Sequence, residues 1–218
     1  MINVSARKIP IGTRSVTGKH AMGGAAYESS LERDLITLFQ FDQKVEKVVT
    51  QPVTINYMDT SGKARRYTTD VLVQYRKDTV ATEGFKDLLC EIKYRDELAE
   101  KFQELKPKFK AAIRYAKSQG WRFRLFTEKQ IRTPYLFNAR FLLPYRELDV
   151  DALVVERVLN KLAEMKVTDP NTLLSSLASD KWERAGLIPI IWHLISNFHV
   201  GADLKQPLTM MSRIWKLP

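Results

Sequence analysis

The segment KDLLCEIKYRDEL, residues 86–98, begins as an apolar strand and then places charged residues where apolar ones are expected. Because successive side chains of a strand point to opposite faces, Glu91 and Lys93 share one face with Leu89. A carboxylate and an ammonium group therefore lie side by side. Two interpretations are open: a strand end that emerges into solvent with a weak ion pair, or a functional pair inside the protein, where a buried charge requires a partner.

The composition is that of a globular protein with one ordinary domain and room for a second, small one. The chain has 218 residues, of which 44% are hydrophobic. Its single cysteine, Cys90, excludes an internal disulfide, and its three histidines form no cluster at zinc-ligand spacing. No apolar run reaches the roughly 18 residues of a membrane span, and the N-terminus lacks a signal-like apolar block. We therefore expect a soluble, cytoplasmic protein that does not associate with membranes.

The order of predicted elements indicates an α/β fold. Residues 1–26 are basic and glycine-containing and form a predicted arm, which either follows DNA phosphates or is loose. Residues 27–148 contain a helix in SSLERDLITLFQFD, several strands, a loop through Gly84, the strand that ends near Tyr94, a helix interrupted or restarted at Pro107, and a strand in WRFRLFTE. We expect a mixed sheet flanked by helices.

Residues 149–218 form a second predicted unit, with three helices and a short terminal hairpin, as in a winged-helix domain. Its aromatic residues are either core or a protein-docking surface: Trp182, Trp192, Phe198 and Trp215.

The net charge of +10 is unevenly distributed. Residues 1–148 contain 27 Lys or Arg against 17 Asp or Glu, whereas residues 149–218 contain eight of each. The basic part favours a nucleic acid partner. A winged helix that bound DNA by itself should be basic, because phosphate contacts supply most of the nonspecific affinity. The neutral unit is therefore predicted to dock a protein.

Asp70, Glu91 and Lys93 together predict phosphodiester cleavage. Asp70 lies in the predicted strand TTDVLVQY, and Glu91 and Lys93 follow on the next strand. Two carboxylates from adjacent strands can hold a hard divalent cation, which neutralises charge on the phosphate and lowers the pKa of a bound water. Lys93 would position or help deprotonate that water.

Other charged residues near this pattern have two interpretations each. Glu32 is either a third carboxylate, for the same ion or a second one, or the partner of Ser29 in a capping box. Lys106, Lys108 and Lys110 surround Pro107 and either contact phosphates or form a solvated face.

Several segments, in this order and spacing, resemble the TnsA-type endonuclease subunit of heteromeric bacterial transposases. The segments are YESSLERDLITLFQFD, TQPVTINY, RRYTTDVLV and CEIKY, with the N-terminal arm and IIWHLISNFHVGADLKQPLTMMS also similar. The resemblance covers nearly the whole chain. Some members have Gln where this chain has Glu91, and the wider nuclease superfamily often has Pro where this chain has Thr69.

The resemblance implies a restriction-endonuclease-like N-terminal domain, a winged-helix C-terminal domain, and cleavage of the 5′ ends at transposon borders. It implies Mg²⁺ as cofactor, as one or two ions that Mn²⁺ can replace, and double-stranded DNA, a TnsB-type transposase and a TnsC-type ATPase regulator as partners. Carried over by position, the catalytic acids are Glu32 and Asp70 and the lysine is Lys93. Glu91 is added as a fourth predicted catalytic residue. The predicted metal ligands are Asp70, Glu91, Glu32 and Ile92.

Two alternatives to this function remain. A stand-alone restriction or junction-resolving nuclease would explain the triad and the charge, but not the neutral C-terminal unit. A DNA-binding adaptor that no longer cuts would have lost one of Asp70, Glu91 and Lys93, and all three are present.

Overall fold

The computed structural model describes residues 29–218, together with the backbone of two short antiparallel strands, Gly18–Lys19 (β1) and Ala26–Tyr27 (β2). The predicted arm, residues 1–26, otherwise lies outside the described residues. The chain divides into two compact units, residues 1–132 and 133–218. No helix within residues 29–218 combines the length and apolar composition that a bilayer crossing needs.

The first helix, α1, spans Ser30–Phe41 and begins as the sequence predicts. The Ser29 Oγ accepts a hydrogen bond from the backbone N–H of Glu32 at 3.2 Å, which satisfies one of the free donors at the helix start. Leu31 and Leu35, at helical spacing, are buried. The predicted helix and its cap at Ser29 are therefore confirmed.

A mixed four-stranded sheet forms the centre of the first unit. Besides β1 and β2, the described strands of this unit are β3 (Val45–Thr50), β4 (Thr54–Met58), β5 (Ala64–Thr68), β6 (Val71–Tyr75), β7 (Leu88–Ile92) and β8 (Arg122–Phe126). The sheet order is β3-β6-β7-β8, in which only β7 and β8 are parallel, and β4 and β5 form a separate antiparallel hairpin. The predicted mixed sheet is confirmed.

Helices cover both faces of this sheet. On one face, Leu72 and Leu89 belong to a buried cluster with Ala112 and Ala116 of helix α3 (Arg95–Ser118). On the other, the ring of Phe39 in α1 meets the Phe126 ring of β8 edge to face, with centroids 5.8 Å apart. A short helix, α4 (Glu128–Ile131), follows β8 and contacts α1. The first unit therefore has the layered α/β architecture that the sequence predicts.

Two segments of the first unit differ from their predictions. The predicted loop before Gly84 contains a helix, α2 (Lys77–Glu83), and Gly84 ends it in the left-handed conformation at φ 67°. The predicted break at Pro107 is absent, because α3 is continuous through it. A proline removes only one helical hydrogen bond, and the buried residues Leu105 and Phe109 on either side hold the helix against the sheet.

The second unit is helical with a small sheet. Its helices are α5 (Pro134–Leu142), a 3-10 turn (Leu143–Tyr145), α6 (Ala152–Met165), α7 (Pro170–Leu177) and α8 (Lys181–Ser196). Its sheet has the antiparallel order β10-β11-β9, with β9 Val167–Thr168, β10 Val200–Ala202 and β11 Ile214–Lys216.

The predicted three helices and hairpin are therefore present in the second unit, and α5 and β9 are additions. Because α5 packs against α8, this compact unit begins at residue 133, earlier than the predicted boundary after residue 148. The two tryptophans of α8 differ in environment: Trp192 is buried, and Trp182 is 74% exposed.

Candidate active site

Asp70 and Glu91 lie at the same end of two neighbouring strands. Asp70 directly precedes β6, whose first residue, Val71, pairs with Cys90 of β7, the residue before Glu91. The Asp70 Oδ2 accepts a hydrogen bond from the backbone N–H of Ile92 at 2.7 Å. This bond extends the contact between β6 and β7 by one residue before the start of β6. The structure therefore brings together the two acids that the sequence singled out.

Glu91 is buried, with a side-chain exposure of 1%. Its Oε1 accepts a hydrogen bond from Lys108 Nζ at 2.7 Å and forms an ion pair with Lys93 Nζ at 3.2 Å. Its Oε2 is also buried and has no hydrogen-bond partner among residues 29–218. The interpretation of this strand end as a solvated surface with a weak ion pair is therefore wrong for Glu91.

Lys93 directly follows β7 and stays fixed to the sheet. Its backbone N–H donates to the Phe126 carbonyl at 3.0 Å, and its Nζ donates to the Ile92 carbonyl at 2.9 Å. Burial lowers the pKa of Lys93, but the charges of Asp70 and Glu91 outweigh it and hold that pKa above its usual value. In this structure Lys93 is thus a protonated donor that can orient a phosphate or a water.

Asp70 is an acid whose ionised form is disfavoured at its place in the fold. Burial raises the pKa of its carboxyl well above the usual range, and the charges of Glu91 and Glu32 raise it further. The charge of Lys93 and the hydrogen bond from the Ile92 N–H act in the opposite direction. The site is therefore one in which an added cation would stabilise the ionised carboxylate.

Glu32 is near this site but has its own local role. Its Oε1 accepts a hydrogen bond from the Ser29 Oγ at 3.3 Å in the first turn of α1. Within residues 29–218, no group of three or more His, Cys, Asp or Glu side chains is arranged to hold a metal ion. The structure therefore does not gather Glu32 with Asp70 and Glu91 into a three-carboxylate cluster, although the Glu32 charge reaches Asp70.

Lys108 is a site residue whose position the sequence left undecided. It contacts Glu91 and is only 14% exposed, whereas Lys106 and Lys110 on the same helix are exposed. A signal was present in the spacing. Lys108 lies three residues after Leu105 and four before Ala112, both of which are buried, so it shares the face of α3 that meets the sheet.

Tyr67 of β5 is a further residue of this site, and no sequence prediction fell on it. Lys108 Nζ lies 5.0 Å from the centroid of its ring, a cation–π distance. The Tyr67 hydroxyl is buried and, like Glu91 Oε2, lacks a hydrogen-bond partner in the described part of the chain. Burial raises its pKa, with smaller contributions from Glu91 and Asp70. No pattern in RRYTTD separates this tyrosine from an ordinary strand residue.

These groups fit a hard divalent cation. Mg²⁺ in proteins is commonly held by one or two carboxylates, with waters and substrate phosphates completing the shell. Asp70 and Glu91 supply two carboxylates, and the unpartnered Glu91 Oε2 is an acceptor whose burial is costly without a partner. Ile92 can offer only its carbonyl oxygen, which accepts from Lys93 here.

A comparison with protein families points to the same chemistry. Residues 42–128 match the family model described as TnsA-like endonuclease N terminal. The matched segment includes Asp70, Glu91, Lys93 and Lys108, and Glu32 lies outside it. No curated protein matches the chain. Residues 42–128 are therefore similar to the TnsA-like endonuclease N-terminal domain, which confirms the predicted resemblance to TnsA-type endonucleases and indicates a nuclease of the transposase type.

Proposed function

We propose that the protein is a Mg²⁺-dependent DNA endonuclease that cuts the 5′ ends at transposon borders during cut-and-paste transposition. The observation that carries the proposal is the pair Asp70 and Glu91, converging from neighbouring strands beside Lys93, with one buried oxygen of Glu91 left without a partner in the described part of the chain. The TnsA-like endonuclease match over residues 42–128 supports the same reaction.

The roles of the residues follow from their placement. Asp70 and Glu91 would hold the cation, and Glu32 would add negative charge nearby. When bound, Mg²⁺ or Mn²⁺ supplies charge neutralisation at the scissile phosphate and lowers the pKa of a water. Lys93, fixed by its bonds to Glu91 and the Ile92 carbonyl, would orient the phosphate or the attacking water.

In this proposal the first unit binds DNA and the second unit docks a partner protein. Residues 1–132 carry a net charge of +9 and residues 133–218 carry +1, so double-stranded DNA would bind mainly to the first unit. The second unit, with its helices and three-stranded sheet, would be a winged-helix domain that docks the TnsC-type ATPase regulator. A TnsB-type transposase would cut and join the 3′ ends.

Cleavage of a duplex that carries a transposon end, labelled on its 5′ strand, tests the proposal in the presence of both partner proteins. Asp70→Ala should lower 5′-strand cutting by more than about 100-fold, because losing a ligand costs at least as much as losing one of its outer partners. Asp78→Ala, which removes an exposed carboxylate of the same unit, is the matched control. Chelation of divalent ions should stop cutting, and Mg²⁺ or Mn²⁺ should restore it.

Glu32→Ala separates the two interpretations of Glu32. A metal-site role predicts slower cutting, whereas a purely structural cap predicts lower thermal stability with normal cutting. Wild-type cutting by Asp70→Ala, or cutting that persists in chelator, would contradict the proposed function as a whole.

A further inference from the structure

Lys108 contributes to the proposed site from a different element than the predicted triad. It lies on α3, and its Nζ makes the shorter of the two ion pairs to Glu91, at 2.7 Å against 3.2 Å for Lys93. Both ammonium groups bind the same oxygen, Oε1. Glu91 Oε2, which has no hydrogen-bond partner within residues 29–218, is therefore the oxygen available to a ligand.

The surroundings of Lys108 fix its ammonium group. The side chain is 14% exposed, and its Nζ lies 5.0 Å from the Tyr67 ring centroid and 5.5 Å from that of Phe109. A lysine held between two aromatic rings and a buried carboxylate has little freedom to turn toward DNA. The predicted phosphate-contacting role therefore does not suit Lys108, although it stays open for Lys106 and Lys110.

We propose that Lys108 is a resident counter-cation of Glu91, which stabilises the site without metal and weakens the binding of a divalent cation there. The inference rests on the proposed function, because it assigns the cation to Glu91. Without metal, Lys108 compensates a buried charge that would otherwise depend on Lys93 alone. With metal, its positive charge repels the ion bound to the same carboxylate.

The balance of these effects decides the direction of the test. Without Lys108, Glu91 would still be enclosed by the sheet and bound by Lys93, so its position would change little. The effect of Lys108→Met on metal affinity should therefore come mainly from the loss of one positive charge next to the cation. Lys108→Met keeps the length and apolar contacts of the side chain and removes only that charge.

Two measurements on the full-length protein test the proposal. The first is the binding of Mn²⁺, followed by the electron paramagnetic resonance signal of the free ion without DNA. Lys108→Met should lower the Kd for Mn²⁺ by about threefold or more through reduced repulsion, and Lys108→Arg should stay near the wild type. Lys106→Met and Lys110→Met, two residues to either side and exposed, are the matched controls and should leave the Kd unchanged.

The second measurement is thermal unfolding without metal. Lys108→Met should lower the Tm by about 5 °C or more, because breaking a buried ion pair leaves an undercompensated charge. In a Glu91→Gln background the same substitution should have much less effect, since its partner is neutral.

The outcomes separate this inference from the proposed function. If Mn²⁺ binds the wild type and Lys108→Met binds it equally or more weakly, the counter-cation role is wrong and the metal site stands. If neither protein binds Mn²⁺, both the inference and the metal site fail. An unchanged Tm for metal-free Lys108→Met also overturns the inference, whatever the metal affinity.

Discussion

Two buried acids of the first unit, Asp34 and Glu91, are satisfied in different ways. The side chain of Asp34 is 3% exposed, and each of its oxygens has an arginine: Oδ1 lies 3.4 Å from Arg33 and Oδ2 lies 3.0 Å from Arg132. Glu91 is equally buried, but two lysines share its Oε1 while its Oε2 has no partner in the described part of the chain.

The difference separates a structural acid from a functional one. Arg132 also donates to Ser30 and Tyr94, at 3.0 and 3.4 Å, so the Asp34 network ties α1 to the segment after α4 and is complete within the protein. Within residues 29–218, one oxygen of Glu91 lacks a hydrogen-bond partner, and such a buried oxygen costs stability unless a ligand supplies the missing interaction. Burial and ion pairing alone would have ranked the two acids together.

Replacing each acid in turn is expected to change cleavage most. Glu91→Ala should reduce cleavage by more than about 100-fold, because it removes both oxygens of a proposed metal ligand. Asp34→Asn should leave cleavage per folded molecule unchanged and lower the free energy of unfolding by about 1–2 kcal/mol, a small value because the Arg132 guanidinium is partly exposed.

Cleavage rates and denaturant melts of the two variants, measured on the same preparations, check this expectation. Loss of cleavage by Asp34→Asn at a temperature where it is fully folded would show that Asp34 is not purely structural. Wild-type cutting by Glu91→Ala would likewise contradict the functional assignment of Glu91.

Asp70→Asn tests how the stability of the first unit depends on pH. The pKa of Asp70 is raised in the folded state, so the folded protein holds this proton more tightly than the unfolded chain does. Stability from this group is therefore fully present below the usual aspartate pKa of about 4 and is lost as the pH rises through the raised pKa.

Asp70→Asn keeps an acceptor for the Ile92 N–H. Without metal, this variant should therefore have a higher Tm than the wild type at pH 8. A rise of about 2–4 °C corresponds to 1 kcal/mol in a chain of this size. Calorimetry at several pH values checks the sign, and the difference between the two proteins should shrink toward pH 4. A variant less stable than the wild type at pH 8 would contradict the assignment.

The smallest effect is expected for the exposed lysines of α3. Replacing Lys106 and Lys110 together by alanine should reduce the slope of log K against log salt for duplex binding by up to about 1.8, because each phosphate that a lysine neutralises contributes about 0.9 to that slope. The control replaces Lys181 and Lys205 in the second unit and should leave the slope unchanged. The reverse result would assign DNA binding to residues 133–218 and the α3 lysines to solvent.

The sequence predicted the scaffold of the site because its signals are local. The cap at Ser29, the strand content of residues 45–75 and the alternation around Glu91 depend on neighbours in the chain, and each predicted element is present. The charged face of β7 needed only the two-residue period of a strand. The predicted helix break at Pro107 was also a local inference, and it was wrong. Packing of α3 on the sheet compensates for the one hydrogen bond that the proline removes.

The partners of Glu91 could not be predicted in the same way. Lys108, and not Lys106 or Lys110, faces the sheet because of its position in the helical repeat of α3. A helix broken at Pro107 would not carry that repeat from Leu105 to Lys108, so the predicted break hid the signal. The position of Tyr67 depends on how the β4–β5 hairpin lies beside α3, which is tertiary packing. That Glu91 Oε2 has no hydrogen-bond partner within residues 29–218 is a property of the folded interior, so no sequence pattern predicts it.

The short chain distance between Glu91 and Lys108 has a consequence for the entropic cost of folding. Their contact spans 17 residues, whereas the contact between Asp34 and Arg132 spans 98. Since closure entropy grows with the logarithm of loop length, the shorter loop costs about 1.5 kcal/mol less to close. The β7–α3 segment can therefore form the Glu91–Lys108 ion pair at a lower entropic cost than the contact that joins the two ends of the first unit.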